Sequence, residues 1–143
     1  MDSKLILEAA RGTLDGTLSF PEVVGKLLAA GVEYYHVDYV GRRKRFYSAD
    51  GEMMATSINY ENLPSVAPEF DAAALRANSL GSQRHGQPYR EFTRRGPCRT
   101  GHRGGVQGYI AFLRGKRVTD WGRTGDQHTE WFPGANPSKS ASE

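Results

Sequence analysis

The chain has 143 residues, 38% of them apolar and 24% charged, with a formal net charge of +3. This composition excludes a disordered chain and fits one globular domain, and a lone cysteine, Cys98, excludes an internal disulfide framework and a cysteine-rich zinc site. No apolar run approaches the roughly 18–20 residues that cross a bilayer, and Met1-Asp2-Ser3-Lys4 lacks the cationic start and apolar core of a leader, so no membrane insertion and a cytoplasmic location are expected.

The first predicted helix covers Ser3 to Ala10, with Leu5, Ile6, Ala9 and Ala10 at helical spacing and Gly12 as its stop. Ser19-Phe20-Pro21-Glu22 starts the second: a serine cap, an early proline, and a glutamate three residues after the cap. Val23, Val24, Leu27 and Leu28 form its apolar stripe, and Gly31 ends it. Three strands follow at about 33–40, 43–48 and 53–58. Gly41-Arg42 reads as a two-residue turn with glycine first, and Asp50-Gly51 as another two-residue turn.

The pattern then returns. Residues 105–126 align without a gap on residues 31–52 at an offset of 74, with six of 22 positions identical. Ordinary composition gives roughly one or two such matches. The matched glycines Gly115 and Gly125 repeat the two turns, which predicts strands at about 106–114, 117–122 and 127–132. Helical patterns at Phe70–Leu75 and Pro88–Phe92 stand before them, and the stretch from Thr93 to Gly105 reads as a loop. The expected fold is therefore α+β: two pseudo-repeats of a helix–helix–three-stranded antiparallel meander, with the helices packed on one sheet face. Residues 1–133 would form a single domain of two repeats (about 1–60 and 66–133), and 134–143 a disordered tail.

Several blocks in this order resemble the YbcV-like family of small prophage-associated bacterial proteins, sometimes labelled phage envelope proteins. They are Ser19-Phe20-Pro21-Glu22-Val23, Ala30-Gly31-Val32, Tyr35-His36-Val37-Asp38-Tyr39, Gly122-Arg123-Thr124-Gly125-Asp126 and His128-Thr129-Glu130-Trp131-Phe132-Pro133. The resemblance spans roughly residues 3–133. It implies a bacterial or prophage setting and an uncharacterised function. Gly96–Gly104 departs from the family pattern, in which a helix would turn directly into the Gly105-Val106 strand.

Two-residue turns would set the rungs His36–Tyr47–Met54 and Asp38–Arg45–Thr56, then Ile110–Trp121–His128 and Phe112–Thr119–Glu130. The other face, with Tyr35, Val37, Phe46, Tyr109, Ala111, Leu113, Val118 and Trp131, is mostly apolar and would pack on the helices. The candidate binding face is thus His36, Asp38, Arg45, Tyr47, Trp121, His128 and Glu130. Histidine two residues from a carboxylate shares its strand face and can serve as an acid–base pair or in a metal site. Four such ligands, His36, Asp38, His128 and Glu130, meet only if the two units abut there. Asp38 opposite Arg45 has a plainer role as a cross-strand ion pair.

Charge is uneven along the chain. Residues 1–75 carry 7 basic and 11 acidic side chains, and residues 76–123 carry 11 and 2. The basic middle supplies candidate anion or nucleic-acid contacts at Arg84, Arg90, Arg94, Arg95, Arg99 and Arg103, and Tyr47 and Trp121 are aromatic enough to stack bases. Nucleophile and metal signatures such as Gly-x-Ser-x-Gly, Cys-x-x-Cys and His-Glu-x-x-His are missing. Cys98 among arginines and the glycine-rich Gly101–Gly105 are weak signals for a reactive thiol and an anion cradle. The preferred expectation is a non-enzymatic binding or interaction module with no catalytic residue, cofactor or metal. A protein partner or self-association is favoured over nucleic acid. The alternatives are a histidine/carboxylate metal-dependent or acid–base enzyme, and nucleic-acid binding through residues 84–103.

Overall fold

The structure, a computed structural model, describes residues 1–58, 106–132 and 134–135, apart from the Leu14 side chain. Helix α1 spans Ser3–Asp15 and α2 spans Phe20–Ala29; the strands are β1 (Val32–Asp38), β2 (Arg43–Ser48), β3 (Met53–Ser57), β4 (Val106–Phe112), β5 (Arg117–Gly122) and β6 (Gln127–Trp131).

Asp2 caps α1 by accepting from the Lys4 and Leu5 amides at 3.0 and 3.2 Å. The helix continues past Gly12, the expected stop, and ends at Gly16 in the left-handed region (φ 72°). Gly12 is instead where the Leu18 side chain folds back against α1; a Cβ there would collide with it. α2 begins with the predicted capping box, in which the Ser19 hydroxyl accepts from the Glu22 amide and the Glu22 carboxylate accepts from the Ser19 amide at 3.1 Å. Ser19→Ala removes that reciprocal pair and is expected to lower stability by about 1 kcal/mol in a urea titration.

All six strands form one antiparallel sheet in the order β3-β2-β1-β4-β5-β6. This overturns the expected architecture. The described residues contain two helices and one continuous, mostly-strand sheet, not two helix–helix–meander units with their own helices. The second expected helical pair, at 70–75 and 88–92, lies outside the described residues, as does the loop at Thr93–Gly105. The physical reason for the merger is that the first strand of each meander would otherwise be an open edge of unpaired amides and carbonyls. β1 and β4 pair with each other instead, through Tyr34↔Phe112, His36↔Ile110 and Asp38↔Gly108.

The offset of 74 survives in the strand registers. Val32↔Ser48 in one hairpin matches Val106↔Gly122 in the other, and Asp38↔Arg43 matches Phe112↔Arg117. Two bonds at the ends of the seam, Tyr39 N–H to Gln107 O and Leu113 N–H to Glu33 O, are also related by 74, and both are 3.0 Å. His36 and Ile110, 74 apart and paired, therefore mark a pseudo-twofold axis through the sheet.

The turns differ from the two-residue forms expected. The first hairpin has a four-residue loop, 39–42, and its left-handed residue is Arg42 (φ 56°), matched by Lys116 (φ 55°). Gly41 serves another purpose: Asp38 Oδ1 accepts from its amide at 2.9 Å, and a side chain at Gly41 would collide with that carboxylate. The second hairpin has a three-residue loop closed by Ser48 N–H to Glu52 O, with Gly51 left-handed (φ 87°); Gly125 (φ 94°) repeats it.

One sheet face shares a core with the helices. Ile6, Ala9, Phe20, Val23 and Leu27 meet Tyr35, Val37, Phe46, Tyr109 and Ala111, all buried. No helix of the described residues is long and apolar enough to cross a membrane. Of the expected tail, only residues 134 and 135 are described.

Candidate functional site

Strand alternation sends every second side chain to the other face, and there the molecule offers a patch rich in aromatic and cationic groups. β1 contributes Tyr34, His36 and Asp38; β2 contributes Arg43, Arg45 and Tyr47; β4 contributes Ile110 and Phe112; β5 contributes Arg117, Thr119 and Trp121; and β6 contributes Thr129 and Trp131. None of these is fully buried. Tyr34 and Tyr47 stack with centroids 4.9 Å apart and planes 15° apart, and Phe112 lies 6.2 Å from Tyr34. His36 meets Trp121 edge to face at 6.4 Å, and the Arg117 guanidinium sits 4.2 Å above the Trp131 ring. Such contacts hold rings in place without removing them from solvent.

Among the described residues, two cavities open on this face. One of about 550 Å³ is lined by Glu33, Tyr34, Phe112, Arg114, Gly115, Arg117, Thr119 and Thr129. The other, about 360 Å³, is lined by His36, Asp38, Gln107, Gly108, Ile110 and Trp121. Burial holds the His36 imidazole below its usual pKa; the Asp38 charge opposes that shift and the Arg45 charge adds to it.

Five of the seven expected face residues are brought together: His36, Asp38, Arg45, Tyr47 and Trp121. The rungs differ, because His36 faces Arg45 and Asp38 faces Arg43. Asp38 is thus a loop cap beside Arg43 rather than the partner of Arg45. His128 and Glu130 are not on this face. β6 pairs Asp120↔His128 and Val118↔Glu130, which puts both on the core side. One extra loop residue in the Gly125 turn flips the whole strand. The same slip in the Gly51 turn moves Met54 and Thr56 to the core side. Trp131, expected among the packed residues, lies on the open face.

The four-ligand set His36, Asp38, His128 and Glu130 is therefore divided by the sheet. Among the described residues, no group of three or more His, Cys, Asp or Glu side chains is placed to hold a metal ion. Arg84, Arg90, Arg94, Arg95, Arg99 and Arg103 lie outside the described residues, as do Cys98 and Gly101–Gly105. Sequence reasoning missed Tyr34 and Arg43, which alternation from His36 and Arg45 would have found, and Gly108, whose signal is a mismatch in the repeat.

The core side also holds polar groups. Lys44 is buried, and burial pushes its ammonium down to about 7. Asp120 is 3% exposed, and burial, then the nearby Glu130 charge, push its carboxyl up to about 7. Half-buried His128 and Glu130 approach within 3.3 Å.

No protein-family model matches the chain, and no curated protein matches it.

Proposed function

We propose that this chain is a prophage-associated, cytoplasmic binding module without catalytic activity, and that it holds its ligand on the open sheet face. The observation that carries the reading is the clustering of Tyr34, Tyr47, Phe112 and Trp121 with Arg43, Arg45 and Arg117 on that face, beside two cavities. Rings supply contact area at low entropic cost, and arginines supply directed donors. The prophage setting rests on the resemblance of the quoted sequence blocks. The acid–base alternative retains only His36 with Asp38, and Asp38 is engaged in capping its loop.

The sequence favours a protein partner or self-association, but the composition of the face argues for an anionic ligand bearing rings. Self-association through this face would set Arg43, Arg45 and Arg117 near their copies, a costly like-charge arrangement, and charged residues are depleted at the centre of protein interfaces.

The test is a titration of ¹⁵N-labelled protein with small ring compounds such as indole, adenine and the anion 4-hydroxyphenylacetate. Amide signals of His36, Gly108, Ile110 and Trp121 should move, and no compound should be converted. Shifts confined to core-side residues, or conversion that is lost in His36→Ala, would sink the reading.

A further inference from the structure

The pseudo-twofold makes the two halves of the open face comparable position by position. Tyr34 and Tyr47 in the first hairpin correspond to Gly108 and Trp121 in the second, at the same offset of 74 and in equivalent cross-strand pairs. In the first pair, one ring stacks on the other at 4.9 Å. In the second, Trp121 stands opposite a residue with no side chain. The 360 Å³ cavity lies at this position, where the first hairpin has the Tyr34 ring. Its size is at the low end of small-molecule sites, roughly 300–1,000 Å³, and suits a single ring system.

The register itself keeps the slot open. A Cβ on Gly108 would lie 2.5 Å from the Val37 carbonyl oxygen. The close approach of β1 to β4 thus forbids a side chain here, while the same seam admits Tyr34 opposite Phe112.

The lining is two-natured. Trp121 offers a π-face and Ile110 an apolar wall. His36 has a ring donor and a ring acceptor in its neutral form. The Gln107 amide nitrogen donates to Gly122 O at 3.0 Å, which fixes the side chain and leaves its oxygen as an acceptor. Asp38 is fixed by the Gly41 amide at 2.9 Å. An aromatic side chain of a protein needs the first set of groups only; a nucleobase uses both, stacking with its face and hydrogen-bonding with its edge. On the adjoining strand, Arg45 stands opposite His36 and Arg43 opposite Asp38. Neighbouring strands are about 4.8 Å apart, so both arginines stand one strand away from the His36 and Asp38 wall of the slot.

We propose that the slot beside Gly108 takes one base of a single-stranded nucleic acid, stacked on Trp121, with its flanking phosphates on Arg43 and Arg45. This rests on the open face being the binding surface and specifies its ligand. Sequence tolerance is expected, because every base has a π-face.

The experiment is fluorescence anisotropy of labelled, mixed-sequence ten-nucleotide DNA and RNA single strands with the full chain, over a range of salt concentrations. Trp121→Ala should weaken binding roughly 5- to 150-fold. Arg43→Gln with Arg45→Gln should reduce the log–log salt slope by about 1.4. Circular dichroism checks the fold of each variant, and the arginine pair keeps the proposal testable if Trp121→Ala does not fold. No binding at low salt overturns the proposal, and so does binding that both variants leave unchanged. Binding that is lost only on charge reversal at Arg94, Arg95 and Arg99 overturns it as well, by moving the contact to the arginine-rich segment. If small rings shift the open-face amides but no oligonucleotide binds, the binding face stands and the nucleic-acid assignment falls.

Discussion

Phe46→Ala is expected to lower stability by about 3–5 kcal/mol, while Tyr47→Ala, the next residue along the strand, should lower it by about 1 kcal/mol or less. The two rings differ in face, not in strand. Phe46 is 2% exposed and lies 5.5 Å from Tyr35, within the core shared with Ile6, Phe20 and Leu27. Its removal leaves a cavity that packed neighbours fill only in part. Tyr47 stacks on Tyr34 in contact with solvent, so its loss forfeits one ring contact and no core volume. Native domains hold roughly 5–15 kcal/mol in total, so the first variant should lose a large share and melt roughly 10–20 °C lower. Thermal and urea melts of the two variants provide the check. Equal losses would mean that both sheet faces are covered, and the open-face reading would fail with them.

Residue alternation explains which parts of this surface were legible in the sequence. The first turn is two residues longer than its glycine suggests. A difference of two preserves the side on which each side chain lies, so His36, Asp38, Arg45, Tyr47 and Trp121 share one face in either register. The later turn is one residue longer than the two-residue form. A difference of one reverses sides, so His128 and Glu130 lie on the core side and Trp131 on the open face, opposite to the two-residue expectation. The signal that would have distinguished them is local: glycine as the third loop residue suits a left-handed position after a type I turn, as Gly51 and Gly125 adopt. The joining of β1 to β4 left no such signal. Tyr34 and Phe112 are far apart in sequence, and a period of two gives a strand its faces without naming its neighbour. Two separate units and one merged sheet share the same alternation, so the sequence pattern marks the strands without distinguishing the two architectures. Gly12 failed for a related reason. A glycine near a helix end reads as a stop, and only the packing of Leu18 shows it to be a point of close approach. The slot beside Gly108 depends on that seam, which a single strand's alternation does not encode.

Asp120→Asn should raise stability at pH 7.5 by about 2–4 kcal/mol and remove much of its decline between pH 4.5 and 7. Asp120 sits on the core side between Tyr109 and His128, its cross-strand neighbours, with Glu130 nearby. Burial chiefly, and the Glu130 charge secondarily, push its carboxyl up to about 7. In the unfolded chain it would ionise near 4. Between those values the folded protein keeps a proton that the unfolded chain has released, so raising the pH favours unfolding. Below about 4 both states are protonated and this cost is absent. Above about 7 both are ionised and the full cost is present. Asparagine keeps the shape and removes the charge. Lys44, which burial pushes down to about 7, acts in another window. Its unfolded counterpart stays protonated to about 10.4, so its contribution rises with pH above 7 and is flat below. Urea titrations of wild type and Asp120→Asn from pH 4.5 to 6.5 therefore isolate the carboxyl, and parallel profiles would refute its burial cost. A carboxyl still protonated near neutrality is also what an acid catalyst requires. Asp120 holds that proton on the core side, across the sheet from His36 and Trp121. A stabilised Asp120→Asn variant with ligand binding unchanged would mark the Asp120, His128 and Glu130 cluster as a tolerated cost of the fold and leave function to the open face.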